Sequence, residues 1–119
     1  MDCAQFVSYS FAVRDAAHLA HLSSKSYAQH MALDTFYDEI VPLTDKFAEV
    51  STGLAGKIPK YPPVKALDYD DPLELLEDYL DLVKAEGKEG EHDSQALLNI
   101  LAELEELTAQ TLYKLRFLK

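Results

Sequence analysis

The stretch "GLAGKIPKYPPVKALDYD", Gly53–Asp70, holds three of the chain's five prolines and has no helical period. Proline fixes its own φ, lacks an N–H, and pushes the residue before it into extended backbone. The stretch therefore reads as an extended link. On either side the chain reads as helix, over about 2–22 and 26–52 before it and about 71–86 and 94–118 after it. The first and last pairs are joined by short links, which make antiparallel neighbours. The long link lets the second and third helices run parallel. The expected fold is all-α: a single domain over residues 1–119, a four-helix bundle with one long crossover between helices two and three.

The boundaries rest on caps. Ser23, Ser24 and Ser26 in "SSKS" interrupt the first periodic run and favour turns. Gly53 is the expected stop of helix two and Gly87 that of helix three. Asp71 suits the N-cap of helix three, with Pro72 at its first position. Asp93 or Ser94 caps helix four, and Lys114, Arg116 and Lys119 complement the dipole at its end. No segment alternates like a strand.

Composition excludes several classes of function. The formal net charge of the 119-residue chain is -10, opposite to the basic footprint needed to grip nucleic-acid phosphates. The single cysteine, Cys3, excludes an internal disulfide and a cysteine-based zinc site. It reads as a reduced thiol. No basic and apolar leader is visible, and no apolar run approaches a membrane span, so the expected location is cytoplasmic.

Helix two carries the densest chemistry, in "YAQHMALDTFYDEIVPLTDKFAE", Tyr27–Glu49. At about 100° per residue, Leu33, Phe36, Ile40, Leu43, Phe47 and Val50 form a core stripe. His30, Asp34, Asp45 and Glu49 fall on a second stripe, roughly opposite, pointing away from their own core. Val41 and Ala48 interrupt it and Tyr37 flanks it, a mixture closer to an interface than to a fully wet face. A plainly solvated face is the other reading. Asp34 and Asp45 are about 16 Å apart on an ideal helix, too far to share an ion. Two antiparallel copies of the helix about a two-fold axis bring His30 and Asp34 of one chain to Asp45 and Glu49 of the other. Imidazole with carboxylate suits Fe, Mn or Zn better than calcium. His18 and His21, three residues apart on helix one, offer further imidazole. Pro42 is expected to kink or break helix two and so disturb this register.

The set His18, His30-x-x-x-Asp34 and Asp45-x-x-x-Glu49 resembles the ferroxidase constellation of the Dps-type mini-ferritins. "DKFAE", Asp45–Glu49, is similar to that family's Asp-x-x-Ala-Glu-Arg signature, with Val50 in place of the arginine. The resemblance implies a ferritin-like bundle and a homodimer or larger homo-oligomer. It also implies Fe(II) held between His18 or His21, His30 and Asp34 of one subunit and Asp45 and Glu49 of the next. The family's His-Trp pair is here His18-Leu19 or His21-Leu22, so the first ligand has two candidates. No lysine-rich tail is present for nucleic-acid binding. "HLSSKSYAQHMALDTFYDEI" is also similar to small ferritin-like proteins predicted from bacteriophage genomes.

Two functions follow as expectations. One is a ferritin-like iron-binding protein with ferroxidase activity at an inter-subunit site. The alternative is a phage-encoded, non-enzymatic helical protein that binds a host or virion protein. Other patterns read as structural. Glu89-x-x-His92 has di-iron spacing but lies beside Gly87 and Gly90 in an expected loop. "DDPLELLEDYLDLVKAE" reads as an amphipathic helix with an acidic outer face. "KIPKYPP" could enter a proline-recognition groove, although an extended crossover accounts for it.

Overall fold

The computed structural model describes residues 1–90, 92 and 94–119, with residue 89 described by its backbone only. The chain forms helices α1 (Cys3–Ser23), α2 (Tyr27–Ala55), α3 (Pro72–Glu89) and α4 (Gln95–Phe117). No strand occurs among the described residues.

Local chemistry sets most ends. Asp2 and Gln5 form a reciprocal capping box: Gln5 N–H donates to Asp2 Oδ1 at 2.8 Å, and Asp2 N–H donates to Gln5 Oε1 at 2.9 Å. Ser26 caps α2, and Asp71 caps α3 ahead of Pro72. Both glycine stops fall one turn later than expected. Gly53 and Gly87 are helical, and α2 ends at Gly56, whose φ of 77° is the left-handed cap that favours glycine. Gly90 closes α3 for a steric reason. A Cβ there would lie 2.5 Å from both the Glu86 carbonyl oxygen and the His92 ring. Asp93, the alternative cap of α4, and the side chain of Glu89 lie outside the described residues; Ser94 is the N-cap but makes no side-chain capping bond among the described residues.

Pro42 does not break α2, which runs through it without interruption. The proline removes the helical donor to the carbonyl of Asp38, and both residues are exposed, so water can take the donor's place. The expected register of the core face survives in consequence. Leu33, Phe36, Ile40 and Phe47 are buried, with Leu43 and Val50 packed at the edge.

α2 packs on α1 and on α4, α4 packs on α3, and α3 packs on α1. Phe6 near the start of α1 meets Phe47 late in α2 at 5.1 Å, so these helices are antiparallel. Cys3 approaches His92 beyond the end of α3, so α1 and α3 are antiparallel too. Helices α2 and α3 are therefore parallel, as the long link requires. Arg116 at the end of α4 pairs with Glu77 near the start of α3 at 2.7 Å, which fixes the last antiparallel pair.

Tyr79 lies at the centre, fully buried among Phe6 and Phe36, with its hydroxyl 2.8 Å from Ser10 Oγ. Burial pushes its phenol well above the usual range. At the end where α1 starts, buried His92 places Nε2 3.0 Å from the buried Glu86 carboxylate and Nδ1 3.7 Å from Cys3 Sγ. Burial pushes the Cys3 thiol up as well, keeping it protonated.

Thr44 is the exception in this core. Its hydroxyl oxygen is buried and has no hydrogen-bond partner among the described residues. An unpaired buried hydroxyl costs more than an apolar group of the same shape. Thr44→Val is expected to raise the unfolding free energy by about 1 kcal/mol, measured by guanidinium titration. A lower stability would show the hydroxyl to be satisfied.

Candidate functional site

Residues 24–26 turn the chain between α1 and α2, and three of its four histidines gather at this end. His21 lies on the last turn of α1 and His30 on the first turn of α2. His21 Nδ1 is 2.6 Å from the main-chain oxygen of His30, and His30 Nδ1 is 2.9 Å from the main-chain oxygen of His21. A carbonyl only accepts, so each Nδ1 carries a proton and donates it. The rings stack with centroids 3.6 Å apart and planes 19° apart. The two bonds clasp the helices across the turn. One of them adds a second donor to the His21 carbonyl, which also accepts from the Ser24 N–H at 3.3 Å where α1 ends.

The clasp fixes the tautomer. With Nδ1 protonated, the neutral ring leaves its lone pair on Nε2. His21 Nε2 lies 3.9 Å from Asp34 Oδ1, beyond hydrogen-bond reach. Asp34 instead accepts from Tyr37 Oη at 3.0 Å, a bond that holds the phenol proton and raises the group above its ordinary range. The Tyr37 ring stacks on His18 at 4.0 Å and meets His21 edge-on at 5.2 Å. Arg14 lies 5.2 Å from the same ring, a cation–π distance. Three side chains from each helix thus form one polar and aromatic seam.

The seam contains four of the six residues expected as metal ligands. His21, rather than His18, is the imidazole placed with His30 and Asp34; the His18 ring is 6.1 Å from that of His21 and rests on Tyr37. Asp45 and Glu49 are exposed farther along α2, at the level where Phe6 meets Phe47. They do not join the cluster. Among the described residues, no group of three His, Cys, Asp or Glu side chains is arranged to hold a metal ion. The polar stripe of α2 lies outside the core, but its first half is not turned away from α1: His30 and Asp34 lean toward that helix. Arg14 and Tyr37 complete the seam, and spacing signals both: Arg14 is four residues before His18, and Tyr37 is three after Asp34.

Removing one imidazole takes a side-chain donor from a carbonyl and the neighbour from a stacked ring. His21→Ala and His30→Ala are each expected to cost about 1–3 kcal/mol of stability in denaturant unfolding. The double variant is expected to lose less than their sum, since the two act as one unit. Strict additivity would mean that no clasp forms in solution.

Residues 21–115 match a family of unknown function, DUF5856. An uncharacterised 14.6 kDa protein of the mobD–ri intergenic region of Enterobacteria phage T4 is 37% identical over 59 residues, which is 50% of this chain and 44% of that relative. The match thus spans less than half of the phage protein's own length. No solved structure matches the chain. No ferritin or Dps family is among these findings, and the resemblance to the Dps-type mini-ferritins is overturned. The spacing behind it has a local origin, since an antiparallel helix pair with polar residues four apart reproduces the interval while its imidazoles bind carbonyls. With four-fifths of its length inside the match, the chain belongs to the DUF5856 family, whose function is unknown.

Proposed function

We propose that the chain is a non-enzymatic helical protein that acts by binding a host or virion protein in the cytoplasm of a phage-infected cell. The observation that carries this reading is the apolar surface around the α1–α2 turn. Leu19, Leu22, Tyr27 and Met31 are 46%, 66%, 78% and 41% exposed there. Tyr113 and Phe117, near the end of α4, are exposed at the same end of the bundle. Several large apolar side chains on one end of a small domain are the usual mark of an interaction surface. The relative in phage T4 supports the setting. Leu22→Asp with Tyr27→Asp leaves the core untouched, so the fold is expected to survive. The wild type should recover a stoichiometric partner from infected cells and the double variant should not. Equal recovery by both proteins removes the hairpin end from the proposal.

A second reading has its own observation. The clasp leaves Nε2 of His21 and His30 unprotonated in the neutral rings, which stack at 3.6 Å, and His21 Nε2 lies 3.9 Å from Asp34. Metal-bound histidines commonly donate their other nitrogen to a carbonyl in this way. A transition-metal ion, Fe, Mn or Zn, would have to draw these nitrogens and Asp34 together, since they are not arranged around one here, with His18 nearby. Asp45 and Glu49 of a second copy would complete the shell in a homodimer or larger assembly. Anaerobic calorimetry with Fe(II) and with Zn(II), on wild type and Asp45→Ala at checked oligomer mass, tests it. Saturable binding lost in the intact variant is the expected result. Heat changes equal to those of dilution in the folded wild type exclude it.

A further inference from the structure

We infer that the crossover is itself a docking ligand, a proline-rich strap that fits a partner groove lined by aromatic side chains and flanked by carboxylates. The inference concerns a surface separate from the hairpin end and rests on different residues.

Sequence chemistry stiffens the strap. Pro59, Pro62 and Pro63 fix φ near -65°, and Ile58, Tyr61 and Pro62 each precede a proline and are held in extended backbone. Five of the six residues from Ile58 to Pro63 are thus restricted to conformations near the polyproline II helix, which has three residues per turn. Residues 58–69 form neither helix nor strand.

Burial follows the same period of three. Pro59 and Pro62 are half-buried and face the bundle. Ser8, buried on α1, donates its hydroxyl proton at 2.9 Å to the Pro62 carbonyl and lies 3.3 Å from that of Pro63. One outer edge is apolar: Ile58, Tyr61 and Val64 are 84%, 40% and 48% exposed, and Leu54 at the end of α2 extends the row at 61%. The other outer edge carries Lys57 and Lys60, both exposed, before Pro63.

Charge selects the partner. Between Gly56 and Lys65 the strap has three lysines and no acidic residue, in a chain of net charge -10. A basic and apolar rod already held extended loses little conformational freedom on docking. Grooves lined by aromatic rings accept such rods, with alternate edges setting specificity. Carboxylates beside the groove would meet Lys57 and Lys60.

The test titrates the full chain against a panel of purified SH3 and WW domains, with binding read by fluorescence at low and high salt. Saturable binding to a panel member is expected, weaker at high salt. Lys57→Glu with Lys60→Glu, and separately Tyr61→Ala, should each weaken it about tenfold or more. Leu22→Asp with Tyr27→Asp should leave it unchanged, which separates this surface from the hairpin end. These side chains lie outside the core, so circular dichroism should show an intact fold throughout. Failure of every panel member to bind the wild type, or binding that survives both strap variants, overturns the inference.

Discussion

The architecture depends on a distance that the chain must recover. α2 is 29 residues long and descends about 43 Å before α3 begins at the other end. Residues 56–71 have to climb back along a molecule 45 Å in its longest dimension. As helix, those residues would reach about 24 Å. As polyproline-like chain they reach about 50 Å. The prolines, by forbidding the short solution and imposing the long one, are what allow α2 and α3 to lie parallel. The bond from Ser8 to the Pro62 carbonyl then ties the strap to α1.

With the helices so arranged, the histidines tie their ends. His21 and His30 close the α1–α2 turn, and His92 joins the connection after α3 to Glu86 and approaches Cys3 at the start of α1. A neutral imidazole offers one donor and one acceptor on a flat apolar body. That combination suits a half-dry helix end, where backbone carbonyls need a donor but an ammonium would be costly to desolvate. Gly90 belongs to this arrangement, because only the absence of a Cβ leaves room for the His92 ring against the last turn of α3. The same property explains why a histidine set at helical spacing is ambiguous. Tautomers fixed by carbonyls stabilise a turn, and they also leave Nε2 free for another ligand.

The fold was legible wherever a short-range rule decided it. The core stripe of α2, the caps at Ser26 and Asp71, and the extended crossover follow from periodicity, side-chain acceptors and proline. The errors fall where two residues of the same kind compete. Gly53 and Gly56 are both able to end α2, and the left-handed residue falls at Gly56. Pro42 reads as a break, yet the helix passes through it, since the freed carbonyl at Asp38 faces water and the flanking core residues hold the register. The polar stripe failed differently. Its angular position was read correctly, but its surroundings belong to α1, and periodicity on one helix carries no information about which neighbour lies alongside.

The sequence by itself determined the number of helices, the buried face of α2, the parallel relation of α2 to α3 and the stiffness of the strap. These are set by interactions within a few residues or by the length of a link. Only the tertiary structure decided what the titratable groups touch. It joined His21 to His30 across the turn, rested His18 on Tyr37 and left Asp45 and Glu49 at the surface. It also turned Pro59 and Pro62 of the strap inward and its lysines outward. The reason is that side-chain environment depends on which elements pack side by side, and α1, α2 and the crossover meet through contacts remote in the chain, where local pattern sets no partner.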